Sequence, residues 1–187
     1  MLPLFARAGA ALVPGASRLP FLGDGRSTEL PDLTLVLDPV TVPRERLAAY
    51  SRVCGFPLRD RLPSTYPHIL AFPLQLALMT DSSFPFAALG LVHIANRIVQ
   101  RRPLGVAEQL QIKVWAAGLQ SHPRGTQFTL RSEARVADEL VWEDASTYLR
   151  RGDPPEGSSR ADREGAADGG SRELPSGGSP RRRYVEA

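Results

Sequence analysis

Lysine and cysteine are almost missing from this chain of 187 residues: Lys113 is the only lysine and Cys54 the only cysteine. A lone thiol excludes an internal disulfide and fits a reducing compartment, so a cytoplasmic location is expected and Cys54 reads as a small buried apolar residue. Positive charge is nearly all arginine and the net charge is only +3, which points to coding bias more than to a binding surface. No basic face interleaved with aromatics is present, so no nucleic acid is expected as partner. No apolar run reaches the ~20 residues that cross a bilayer, because Pro73 and Gln75 interrupt the best candidate. No membrane span is expected, and the chain reads as soluble. No His/Cys cluster has metal-ligand spacing, and neither a phosphate-cradling glycine loop nor a Ser-His-Asp spacing occurs, so no metal and no cofactor are expected.

What is there divides into three parts. Residues 1–29 lack the basic lead-in and sustained apolar stretch of a secretory signal and read as a loosely ordered leader, with Gly23-Asp24-Gly25 a turn. Residues 30–151 carry the apolar periodicity of one domain. Residues 152–187 are rich in Gly, Ser, Pro and Arg, bury too little to offset their ordering entropy, and read as a flexible linker or tail.

Within the domain, EQLQIKVW from Glu108 alternates, with Leu110, Ile112 and Val114 on one face, as a half-buried strand requires. TQFTLRSEARV repeats the pattern with Phe128, Leu130, Ala134 and Val136 inward. SHPRGT supplies a turn between them, and Asp138-Glu139 the tip of a hairpin leading into LVWEDASTYL. LGLVHIANRIVQ is a further strand with Val92, Ile94 and Ile98 on one side, which puts His93 and Asn96 on opposite faces and in no common site. LTLVL at Leu33–Leu37 is an opening strand, giving at least five, mostly antiparallel by their short connections.

Two helices precede these strands. Arg44–Val53 is short and amphipathic, with Leu47, Tyr50 and Val53 on one face and Cys54-Gly55 as its stop. In LPSTYPHILAFPLQLALMT, Ser64 or Thr65 can cap, Pro67 suits the first turn, and apolar residues then cover every side, the mark of a buried helix. Pro73 removes the donor to the Ile69 carbonyl, so a kink or break is expected there. A short helix, one wholly apolar helix and a run of antiparallel strands make an α+β class, a single hot-dog fold with a curved antiparallel sheet wrapped around a central helix.

TYPHILAFPLQLALMTD, LGLVHIANRIVQRRPL, RGTQF and LVWEDASTYLRR together resemble the N-terminal hot-dog half of MaoC-like acyl dehydratases, relatives of the (R)-specific enoyl-CoA hydratases and 3-hydroxyacyl-thioester dehydratases. The resemblance spans the whole folded region. It implies a hydro-lyase ancestry in fatty-acid metabolism, an acyl-CoA or acyl-carrier thioester as ligand, and association as a homodimer or with a second, catalytic hot-dog. In that family a Gly-Asp-x-Asn-Pro-x-His segment supplies the acid–base pair, and an amide at the start of the buried helix receives the thioester charge. Here RLAAYSRVCGFPLRD occupies the corresponding place, with Phe56 where the acid would be and Asp60 too late. The resemblance therefore implies no catalytic residue of that kind and negligible turnover by the chain alone. RRRYVEA resembles the lead-in to a second domain, with Tyr184 echoing Tyr50. The implied substrate-binding residues are Tyr66, His68, Ile69 and Phe72 at the helix mouth. His68 aligns with the family's His-Gly, with Ile69 in place of the Gly, and a helix-terminal histidine bonded to backbone is the competing reading. Tyr66 either lines a pocket or anchors the helix. A non-enzymatic acyl-CoA-binding or dimerisation module is the alternative function. A thioesterase would need a carboxylate beside the helix, whereas Asp81 lies at its far end.

Overall fold

A computed structural model describes residues 29–152 and 181–185. The leader and most of the tail, including its Gly/Ser/Pro stretch, lie outside the described residues. In chain order the elements are β1 (Leu33–Val40), α1 (Arg44–Cys54), α2 (Tyr66–Met79), β2 (Leu91–Gln100), β3 (Leu110–His122), β4 (Gly125–Val136), β5 (Glu139–Arg151) and β6 (Arg181–Val185). The strands form one sheet in the order β2-β5-β4-β3-β1-β6. All pairings are antiparallel except β1 with β6. The curved sheet and its two helices are those of a hot-dog.

Strand periodicity builds the core. Leu110, Ile112 and Val114 of β3 and Phe128, Leu130 and Ala134 of β4 are all buried, and burying each of the larger side chains contributes about 1.5–3 kcal/mol. They meet α2, which packs on β3, β1 and β4. Aromatic rings fill one end of this layer. Phe84 meets Phe128 edge-on at 5.2 Å between centroids, and Phe128 stacks on Tyr148 at 5.7 Å. The β4–β5 hairpin turns through Ala137 and Asp138, both at positive φ (44° and 67°), as a two-residue turn matched to strand twist requires.

Several sequence expectations need correction. The buried stripe of α1 is Leu47 and Ser51, one turn apart, so Val53 is 86% exposed and Cys54 is exposed rather than buried. Gly55, at φ 73°, ends the helix immediately afterwards, with Cys54 on its exposed last turn beside Tyr50. The second helix runs unbroken through Pro73. Pro73 sits on a partly exposed side in line with Ile69, where water can serve the carbonyl that loses its donor. Nor is α2 buried all round: Ile69 is 46% exposed, and His68, Leu70, Phe72 and Pro73 are partly exposed beside it. Finally, 152–187 is not wholly linker, since Arg181–Val185 pairs with Leu33–Leu37 in parallel.

Candidate active site at the mouth of the central helix

The site is built on the first turns of α2 and the inward face of β5. Thr65 is the N-cap residue of α2 but makes no side-chain cap bond; its hydroxyl is held instead by Tyr50 Oη at 2.6 Å. Trp142, fully buried, donates its indole N–H to the Ser64 carbonyl at 2.7 Å. These two bonds fix the entry of the helix against α1 and β5. In the first turn Tyr66 N–H is met by the Pro63 carbonyl at 2.9 Å and Pro67 has no N–H, so His68 carries the first amide left without a side-chain cap.

Along β5, Trp142, Asp144, Ser146 and Tyr148 share the inward face. Asp144 is buried to 2% exposure and would be expensive to bury without partners. It has several. His68 bonds to its Oδ2 through Nδ1 at 2.7 Å, and Gln75 Nε2 donates to the same oxygen at 3.3 Å. Asn96 Nδ2 donates to Oδ1 at 2.9 Å, and the Ser146 hydroxyl donates to both oxygens while accepting from Asn96 at 2.9 Å. Gln75 also donates to Ser132 Oγ at 2.9 Å. Every polar neighbour is placed to donate to Asp144, the arrangement an ionised carboxylate needs. With Nδ1–H donated to it, His68 is left as the tautomer whose Nε2 is a base. The His68 side chain keeps 19% of its surface exposed, next to Phe72, whose ring lies 6.4 Å away.

Asn96 belongs to this cluster although regular alternation separates it from His93. The β2–β5 register shifts between His93 and Ala95, so His93 pairs with Tyr148 and Asn96 with Ser146. Those partners are two residues apart on β5, so the bulge brings His93 and Asn96 onto one face. The His93 ring stacks on Tyr148 at 4.8 Å. Burial, and then the charge of Asp144, push the Tyr148 phenol above its ordinary pKa.

Of the four expected binding residues, three share the open side of α2: His68, Ile69 and Phe72. Tyr66 lies two positions before His68, across the helix, is 2% exposed in the core and packs edge-on to Tyr50 at 5.2 Å. Burial raises its pKa, with Arg46 opposing. The carboxylate at the centre, Asp144, and its holders Asn96, Gln75, Ser132 and Ser146 were not anticipated. The signal was available in the strand phase, because Asp144 and Ser146 fall in step with Trp142 and Tyr148, and Ser132 falls in step with Leu130 and Ala134.

A curved sheet wrapped around an apolar helix, with a polar cluster at the mouth of that helix, defines a hot-dog protein. The chain belongs to the MaoC-like acyl dehydratase family. It is 33% identical over 126 residues to 3-hydroxyacyl-thioester dehydratase X of Mycobacterium tuberculosis, a match covering 67% of this chain and 45% of that protein. A crystal structure of that dehydratase, HtdX, superimposes with a TM-score of 0.60 at 33% identity, covering 63% of this chain and 51% of that one. The chain thus spans about half the length of these relatives. The structure of an Archaeoglobus monoamine oxidase regulatory protein, at 11% identity and TM-score 0.54, covers 72% of this chain and 97% of that one and speaks to the fold alone. No family model matches the sequence. No helix among the described residues is long and apolar enough to cross a membrane.

Proposed function

We propose that this chain is a hot-dog module of acyl-thioester hydratase or 3-hydroxyacyl dehydratase type in fatty-acid metabolism. It shapes one wall of an acyl tunnel and pairs with a second hot-dog, which on the family's pattern brings the Gly-Asp-x-Asn-Pro-x-His segment missing here. The observation that carries this reading is the open side of α2. Ile69, Leu70 and Phe72 present partly exposed apolar surface around His68, and β2 ends the sheet with Ile94 41% exposed and, among the described residues, no strand on its outer side. An apolar helix face next to an unpaired strand edge is covered when a second sheet docks. The thioester then lies between the two modules with its carbonyl oxygen at the uncapped amides of α2.

The test is calorimetric titration of the full-length chain with crotonyl-CoA, together with size-exclusion chromatography across a concentration series. Saturable binding and a concentration-dependent dimer are expected. A monomer at all concentrations that takes up no thioester, alone or with a second hot-dog domain, would overturn the reading. Thioester binding with no turnover by either arrangement would favour a non-enzymatic acyl-CoA-binding module.

A further inference from the structure

The polar cluster goes further than a binding role. Placing a carboxylate in the core and meeting it with His68, Gln75, Asn96 and Ser146 engages His68 through Nδ1. Its Nε2 is left with no hydrogen bond among the described residues, on a side chain that keeps 19% of its surface exposed, whereas the partnerless Gln75 Oε1 is buried. A pin between helix and strand would be satisfied by a neutral pair. Here the buried charge holds an imidazole in one tautomer at a partly exposed end of the network, Asn96 on β2 being its other exposed member.

We propose that His68 is a catalytic acid–base residue contributed by this chain, with Asp144 as its positioning residue and Asn96, Gln75 and Ser146 holding the carboxylate. The proposal rests on the thioester occupying the open side of α2, as argued above. In the dehydration direction, Nε2 takes the proton from C2 of a 3-hydroxyacyl thioester. The C–H electron pair becomes the C2–C3 π bond, with charge passing transiently to the thioester oxygen. The C3–O bond breaks, and the departing hydroxide takes the same proton back from the imidazolium and leaves as water. The histidine is restored, no other reactant is consumed, and hydration is the reverse.

The full-length chain by itself is the cleanest material, because it holds no Gly-Asp-x-Asn-Pro-x-His segment to mask the effect. Crotonyl-CoA hydration is followed by loss of enoyl absorbance, with crotonyl-CoA binding measured in parallel by calorimetry. Slow but measurable turnover is expected, falling about 100-fold or more in His68→Gln, the scale of a lost general acid–base group, while binding stays within about twofold. Asp144→Asn is expected to lower kcat with little change in KM and to abolish the low-field Nδ1–H proton resonance that the 2.7 Å bond to the carboxylate produces. His122→Asn, in the β3–β4 turn, serves as the unaffected control. Should Asp144→Asn fail to fold, His68→Gln decides alone, since its side chain is partly exposed. Binding without turnover, or turnover unchanged in His68→Gln, overturns the inference and leaves the binding role standing. Absence of binding overturns both.

Discussion

Trp142 on β5 and Ser64, just ahead of α2, are joined by a 2.7 Å hydrogen bond from the indole N–H to a backbone carbonyl. The two residues are 78 positions apart in sequence, so this one bond sets where the central helix begins relative to the strand that carries Asp144. Trp142→Phe keeps most of the buried ring but leaves the Ser64 carbonyl without its donor. A loss of about 1–3 kcal/mol is expected, read as a lower midpoint with unchanged slope in urea unfolding. A loss below a few tenths would mean that water replaces the indole.

Asn96→Ala removes the best donor to Asp144 Oδ1 and one donor to Ser146. The buried carboxylate then retains Ser146 alone on that oxygen, and stability should fall by about 1–3 kcal/mol. His68→Gln weakens the other oxygen, so the two changes should be non-additive, with a coupling of about 0.5 kcal/mol or more in a double-mutant thermal unfolding cycle. Strict additivity would show that the residues do not share one carboxylate.

Glu108 gives a pH dependence of known sign. Bonds from Arg102, first, and from the Gly105 backbone N–H hold its carboxyl below its ordinary pKa, against burial. A depressed folded-state pKa means that the unfolded chain binds the extra proton first. The stabilisation is therefore complete above the ordinary carboxylate range and is lost as pH falls through the folded value. Glu108→Gln should be less stable than the parent at neutral pH by about 1 kcal/mol, and the difference should close progressively in acid. A gap that persists unchanged at the acid end would refute the assignment.

Association should depend on the open helix side and the strand edge. Ile69→Glu and Ile94→Arg each place a charge where apolar surface would be covered, and either should raise the dimer dissociation constant about tenfold or more. Sedimentation velocity reads this directly. Thermal stability of the monomer should change little, because both side chains are already partly exposed.

Gly125→Ala tests the β3–β4 turn. Gly125 adopts φ 136°, and a Cβ there would collide with the Arg150 carbonyl oxygen of β5. Other side chains rarely adopt that conformation, so a loss of about 2 kcal/mol or more in thermal unfolding is expected. Gly55→Ala, with open space around it, should cost less.

Much of this fold is legible in the alternation of β3 and β4 and in the apolar density of α2, because burial imposes periods of two and 3.6 directly on sequence. The site is less legible for three physical reasons. A bulge near Ile94 adds a residue to β2, and simple counting back from Ile98 and Asn96 then puts His93 on the wrong face. Inward polar residues such as Ser132 and Asp144 break no period, so a search for apolar alternation passes over them. Asp144 and His68 come together only through tertiary packing, 76 positions apart. On α1 the expectation fails only for Val53: Tyr50 packs against the core as Leu47 does, whereas Val53, six residues on from Leu47, lies about 120° around the helix from it.

The parallel strand Arg181–Val185 lies along the outer side of β1 and carries Arg181, Arg182 and Arg183 there, all exposed. One margin of the sheet is thereby occupied by β6 and carries three arginines, of which Arg183 pairs with Asp81 at 2.9 Å, while β2 at the other margin has no strand on its outer side among the described residues. On the pairing proposed above a second sheet adds at β2, and the arginines of β6 disfavour edge-to-edge addition at the opposite margin, so the two edges have unequal tendencies to extend into a filament.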